Sequence, residues 1–174
     1  MNKQANLSEH FSLRELTKTS VNIENVPNET QVENLRRVCR WLEQLRLRYN
    51  QMSNRQSRFD LGQRNEKGEM RNGNEEMRNE VREYPIIINS GFRSAAVNKA
   101  VGGVPMSNHL TGCAVDIRCI GMEQALRYAS ILLDISDMSR EDFDELLIEQ
   151  KRSVVWIHFA VRPWGNRRRI DFKR

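Results

Sequence analysis

The chain has 174 residues, which is enough for one domain of ordinary size, and we expect a single domain over residues 1–174. No apolar run approaches the ~20 residues that a spanning helix needs, so a membrane span is not expected. A net charge of +5 would suit an anionic surface such as nucleic acid or a bacterial wall, or would simply aid solubility. No interleaved aromatic and basic motif of the RNA-binding kind is present, so a nucleic-acid partner is not expected either.

The termini and the cysteines indicate the compartment. Residues 1–7 contain no apolar segment of the secretory type, so we expect the protein to be cytoplasmic as synthesised. Cys39, Cys113 and Cys119 are an odd number without paired spacing, which favours reduced thiols over disulfides. Cys113 and Cys119 flank a predicted strand and would bind zinc only in a scheme different from the one developed below.

Helical patterns dominate the first third of the chain. Ser12 and Glu15 form a capping-box pattern before a short helix, and His10, just ahead of it, is interpreted as structural. A long amphipathic helix is predicted over residues 29–49, with one apolar stripe. Its members are Val32, Leu35, Val38, Cys39, Leu42, Leu45 and Tyr49. A later helix is predicted over residues 122–135, with Ala125, Leu126 and Leu132 among its buried residues.

Residues 50–84 differ in composition from the rest. They are rich in Asn, Arg, Glu and Gln and poor in large apolar groups, so they cannot bury enough apolar surface to offset their ordering entropy. We predict a low-complexity insertion between the long helix and the first core strand, with part of it forming a marginal helix.

Three strand-like runs, at residues 86–88, 114–117 and 154–161, surround the polar residues of interest. Asp116 lies inside the second run, where a carboxylate is costly unless it is paired. With His109 and His158 it makes a set of two histidines and one carboxylate, which is the donor set of a catalytic zinc with an open fourth position. A hydrogen-bonded core network is the alternative, because this spacing is not specific by itself.

Several motifs in a fixed order point to one family. They are SGFRS at residues 90–94, SNHLTGCAVDI at residues 107–117 and WIH at residues 156–158. In this order the chain resembles the zinc D-Ala-D-Ala peptidases, and within them a phage-associated, endolysin-like branch. The resemblance implies an α+β fold with a small, mostly antiparallel sheet flanked by helices, as in Hedgehog and D,D-peptidase domains. It also implies Zn²⁺ held by His109, Asp116 and His158, and Arg93 as the arginine that binds substrate and stabilises the transition state.

The chain departs from this pattern at the general base. Many members carry a glutamate three residues before the second histidine, whereas Val155 stands there and cannot move a proton. The resembling branch has an F-D-Q-like segment that ends in a glutamate, which corresponds to Glu149, and a hairpin would bring it to the metal. The alternative is a solvated strand-end residue, because the register is unknown. Asp144 is a weaker candidate, or a partner that orients a ligand histidine.

The remaining assignments follow from the resemblance. Ser107 would bind substrate near the metal, or only cap a loop, and Arg93 would alternatively be a structural ion-pair partner. The implied function is zinc-dependent hydrolysis of D-residue peptide bonds in peptidoglycan stem peptides, as a carboxypeptidase or an endolysin-type endopeptidase. The rival is a wall-binding module that keeps its zinc but has lost its base. We expect a monomer, released to the wall by a separate export route.

Overall fold

The computed structural model describes residues 6–62 and 82–174, and it confirms an α+β fold. In chain order the elements are α1 (Leu13–Leu16), α2 (Glu29–Gly62), β1 (Ile88–Ser90), α3 (Ala95–Ala100), a 3-10 helix (Asn108–Thr111), β2 (Ala114–Cys119), α4 (Met122–Ser139), β3 (Glu145–Lys151), β4 (Val154–Ala160) and β5 (Arg169–Lys173). No helix within these described ranges has the length and apolar character needed to cross a membrane.

The five strands form one sheet in the order β1-β2-β4-β3-β5. All neighbours are antiparallel except β3 and β5, which are parallel, so the prediction of a mostly antiparallel sheet is confirmed. β2 and β4 are central, and their register places Asp116 opposite His158. The two residues identified from separate motifs are therefore direct cross-strand neighbours, and their side chains lie on the same face of the sheet.

The alternation of side chains separates a core face from a polar face. Val115, Ile117, Ile157 and Phe159 are at most 4% exposed and belong to the hydrophobic core that α2 and α4 complete. Each such side chain contributes roughly 1.5–3 kcal/mol by leaving water, so this face holds the sheet to the helices. The alternate residues, Asp116 among them, point the other way, and this polar face carries the site.

Helix α2 is longer than predicted. Its apolar stripe is confirmed, since Val32 to Leu45 of the predicted set are buried and Tyr49 packs partly against the core. The helix continues beyond Tyr49 to Gly62, because asparagine side chains bind the chain that returns beside it. Asn50 pairs with both the N–H and the C=O of Tyr84, and Asn54 does the same with Arg82. The rest of the predicted insertion, residues 63–81, lies outside the described residues.

Helix α4 confirms part of its predicted face. Ala125 and Leu132 are fully buried, but Leu126 is 56% exposed, so its assignment to the core was wrong. Tyr128 and Ile131 take its place against the sheet. When apolar residues cover more than half of the circumference of a helix, the helical period alone cannot predict which of them face the core.

The basic composition of residues 163–169 favours a solvated tail, but the structure attaches this part of the chain to the sheet. Residues 169–173 form β5, which pairs with β3. Arg167 binds the carboxylate of Asp144, whose side chain is fully buried, through contacts of 2.8 Å from both Nε and Nη2. Arg162 adds a third guanidinium contact to Asp144, at 3.0 Å. A buried carboxylate needs such partners, so these arginines are structural.

Gly91 sits where two segments of backbone touch. A Cβ atom at this position would lie 2.3 Å from the carbonyl oxygen of Leu16, the last residue of α1. The N–H of the next residue, Phe92, donates to that same carbonyl at 2.7 Å. The absence of a side chain therefore allows α1 to bind the end of β1 directly.

We predict that Gly91→Ala destabilises the protein by about 1–3 kcal/mol or more, because rigid backbone cannot yield to the added methyl group as a side chain would. Urea unfolding measures the change. Asn89→Ala, an exposed position two residues earlier on β1, is the control and should stay within about 0.5 kcal/mol. Equal stability of the two variants would contradict the close approach.

Candidate metal centre

Three potential ligand atoms converge on one point of the polar face. Asp116 Oδ1 lies 3.2 Å from His109 Nε2 and 3.1 Å from His158 Nδ1. A tetrahedral zinc with bonds of about 2.0–2.1 Å holds its ligand atoms roughly 3.4 Å apart. The observed separations are close to that spacing. Among the described residues, these three form the group of His, Cys, Asp and Glu side chains able to hold a metal ion.

His109 is oriented by a backbone carbonyl. It lies on the 3-10 helix and is 2% exposed, and its Nδ1 is 2.6 Å from the carbonyl oxygen of Gly91. A carbonyl only accepts, so Nδ1 carries a proton, and in a neutral ring Nε2 then has its lone pair on the side of Asp116, where a metal could bind. Two electron-rich atoms at 3.2 Å repel unless a cation lies between them. This geometry suits a metal ion.

His158 lies between two carboxylates. Its Nδ1 contacts Asp116, and its Nε2 lies 3.4 Å from Glu145 Oε2. Burial opposes the charged imidazole, but the two carboxylates outweigh it and raise the pKa of His158 to about 9. Without a metal the ring therefore holds a proton where a metal would bind. The site attracts positive charge, whichever cation supplies it.

Asp116 is buried and negative. Burial alone would raise its pKa, but His109 and His158 outweigh burial and lower it. Its second oxygen, Oδ2, accepts a hydrogen bond from Arg93 Nη2. Arg93 Nε donates to Ser90 Oγ at 2.8 Å, which fixes the plane of the guanidinium. Arg93, the predicted substrate-binding residue, therefore contacts the carboxylate of a potential metal ligand.

Each potential ligand has an outer partner that orients it. Gly91 holds His109, Arg93 holds Asp116, and Glu145 faces His158. Metal sites are built in this way, since outer contacts set the tautomer and direction of each ligand. Two imidazoles and a carboxylate with this support fit Zn²⁺.

Glu149 lies on the same face as the ligands. It pairs with Trp156, two pairs along the β3–β4 ladder from Leu147 and His158. Its Oε1 is 3.4 Å from Lys173 Nζ, and its side chain is 23% exposed. Its role as the base stays a prediction. Val155, where a base was expected, is 4% exposed and belongs to the hydrophobic core on the opposite face.

Glu145 is the residue that sequence reasoning missed. It is 13 positions before His158 and pairs with Ala160, two pairs along from His158 in the other direction from Glu149. The hairpin register alone could have identified it. The turn residues are Arg152 and Ser153, however, and these carry none of the glycine or asparagine signals that mark a two-residue turn.

Ser107 and Asp144 have structural contacts. Ser107 Oγ caps the 3-10 helix by accepting from the N–H of His109 at 3.3 Å, which is the loop-capping alternative. Asp144 was considered as a partner of a ligand histidine, but its described contacts are to Asn108, Arg162 and Arg167. Asp144 therefore fixes Asn108, the residue before His109, by a hydrogen bond. A direct bond from Asp144 to either imidazole is absent from the contacts of the described residues.

The remaining histidine and the cysteines lie elsewhere. His10 Nδ1 is 2.8 Å from Glu43 Oε2, which ties the N-terminal segment to α2. Cys39, Cys113 and Cys119 are free and buried, and they stand outside the potential metal group of the described residues. Burial raises the pKa of Cys119 to about 12, so its thiol is protonated and unsuited to zinc.

The family comparison agrees with this geometry. The family model described as Peptidase M15 matches residues 45–158, which is more than half of the chain and includes all three potential ligands. A search of the curated proteins finds no match. The chain therefore belongs to the Peptidase M15 family, that of the zinc D-Ala-D-Ala carboxypeptidase-like peptidases.

Proposed function

We propose that the protein is a zinc peptidase that hydrolyses peptide bonds next to D-residues in peptidoglycan stem peptides. The observation that carries this is the convergence of His109 Nε2 and His158 Nδ1 on Asp116 Oδ1 in a chain of the Peptidase M15 family. When bound, zinc polarises a peptide carbonyl as a Lewis acid and makes water acidic near neutral pH.

Glu149 is the proposed general base. Its position supports this role, because Glu149 lies on the ligand face and is two residues from Leu147, the cross-strand partner of His158. Its ion pair with Lys173 is partly exposed, so water or substrate can replace Lys173 easily. The Glu149 carboxylate accepts a proton from the attacking water and donates it to the leaving amine. Glu145 is less suited, because it approaches His158 through Nε2, the nitrogen turned away from Asp116.

Arg93 is the proposed oxyanion partner. Its guanidinium is fixed in advance by Ser90 and Asp116, so its positive charge is in place before the reaction starts. Charge placed in this way stabilises a developing oxyanion without reorganisation.

The substrate is proposed to enter beside Arg93. A cleft of about 270 Å³ adjoins that residue, and cationic, hydroxyl and small apolar side chains line it. The lining residues are Lys18, Thr19, Ser20, Asn89, Ser90, Arg93, Val97 and Val101. Such a lining suits a carboxylate with a small alkyl group, which is the chemistry of a peptide ending in D-Ala.

The first test is Glu149→Gln. We expect unchanged zinc content and a loss on the order of 10²–10⁴-fold in peptide release from purified peptidoglycan, because the amide cannot accept the proton. Zinc is measured by elemental analysis and peptides by chromatography.

The matched control for that test is Asp171→Asn, which removes a carboxylate from β5 at the position that pairs with Leu147 of β3. It should cut like the wild type. Equal cutting by Glu149→Gln would reject Glu149 as the base. Zinc-loaded wild type that cuts no wall would favour the inactive wall-binding module.

A second test uses Lys18→Ala. We expect KM to rise about tenfold for a peptide with a free terminal carboxylate, with kcat little changed, since one charge contact is lost. An amidated peptide is the comparison, and it should bind both proteins equally. If the wild type prefers the amidated peptide, an internal bond is the target and the carboxylate assignment of the cleft fails.

A third test uses pH. Without metal, the folded pKa of His158 is about 9, above an unfolded value near ~6.5. The raised pKa therefore stabilises the metal-free fold fully below pH ~6.5, and this stability is lost as pH rises through about 9, on the order of 3 kcal/mol in all. Urea unfolding of chelator-treated protein at several pH values measures it.

The control for the pH test is His158→Gln, which should remove that slope. Zinc-loaded wild type should also lack it, because a metal then replaces the proton. A metal-free wild type of constant stability between pH 6 and 9 would contradict the arrangement of the two carboxylates around His158.

A further inference from the structure

We propose that Glu145 is a positioning residue of the metal centre. It accepts the Nε2 proton of His158, so that the Nδ1 lone pair of the same ring faces the metal. This inference rests on the proposed zinc site. It assigns a function to a side chain that lies outside the ligand set and outside the base.

The ring of His158 has two different sides. Nδ1 is 3.1 Å from Asp116 Oδ1, at the point where the ligand atoms converge, while Nε2 is 3.4 Å from Glu145 Oε2. A neutral imidazole has one N–H and one lone pair. An acceptor at Nε2 keeps the proton there and leaves the lone pair on Nδ1. Glu145 thus selects the tautomer that can bind metal.

Glu145 is itself held in place. Its side chain is 13% exposed, and Asn108 Nδ2 donates to Oε2 at 3.0 Å. Arg167 Nη2 lies 3.0 Å from Oε1, and Arg169 Nη1 lies 3.3 Å from the same atom. An amide and two guanidiniums therefore hold both oxygens, and Oε2 keeps an acceptor site for the imidazole. A carboxylate fixed on three sides can define the direction of a fourth partner.

The partners that orient the two histidines differ in charge. Gly91 orients His109 with a neutral carbonyl, whereas Glu145 faces His158 with a carboxylate. A carboxylate acceptor makes the opposite ring nitrogen a stronger donor to a metal. Loss of Glu145 should therefore weaken metal binding as well as loosen the ring.

The main test is zinc affinity, measured on the full chain by competition with a chromophoric chelator. We expect affinity to fall about 10- to 100-fold in Glu145→Ala. Glu145→Gln should fall less, because its amide oxygen can still accept from Nε2. Glu149→Gln is the matched control, a carboxylate on the same strand and face whose partner is Lys173, and it should bind zinc within about twofold of the wild type. Unchanged affinity in Glu145→Ala would overturn the proposal.

A second measurement needs no variant and so does not depend on folding of the mutants. The chain has three histidines, so long-range ¹H–¹⁵N spectra of the zinc-loaded wild type can separate their rings. We expect His158 to show a protonated Nε2 and a metal-bound Nδ1. Coordination through Nε2 would overturn the proposal.

The outcomes separate this inference from the peptidase function. If the wild type binds zinc, Glu145→Ala binds it more weakly and no wall peptide is cut, the positioning role stands and the peptidase proposal falls. If the wild type binds no zinc, both fall.

Discussion

A buried carboxylate at the centre of the sheet is the constraint on which the rest of the site depends. Asp116 lies on β2, with paired strands on both sides, and is almost closed to solvent. Such a charge is costly unless positive or donor groups surround it. The fold supplies them from separate elements: His109 from the 3-10 helix, His158 from β4, and Arg93 from the turn after β1. These elements meet where that charge is neutralised, and their meeting creates a metal-binding geometry.

The convergence of His109, Asp116 and His158 could be predicted from the sequence, whereas the residues around them could not. Residue types in a known order indicated His109, Asp116 and His158, because metal chemistry restricts which side chains can serve. The identity of the carboxylate next to His158 depended on the hairpin register instead. Arg152 adopts a left-handed conformation, with φ of 55°, at a position where glycine or asparagine is usual. With no glycine to mark this turn, sequence patterns could not tell which of Glu145 and Glu149 would lie against His158.

In the fold, too, features that depend on local sequence could be predicted, whereas features that depend on contacts between distant residues could not. The apolar stripe of α2 follows from helical period, and its burial was predictable. The extension of α2 depends on side-chain bonds between Asn50 and Tyr84, which are 34 positions apart. Strand β5 likewise depends on Arg167 reaching the buried Asp144. Both are long-range polar contacts, and composition suggested solvated segments because each partner taken alone is polar.

The attachment of residues 162–169 to the site has a consequence for synthesis of the chain. The three potential ligands lie at or before residue 158, whereas the guanidinium partners of Asp144 and Glu145 follow later in the chain. A nascent chain that stops near residue 160 would hold the three potential ligands beside two carboxylates, Asp144 and Glu145, that lack their guanidinium partners. We therefore expect a chain that ends near residue 160 to be less stable than one that continues beyond Arg167, because its polar face keeps buried charge without partners.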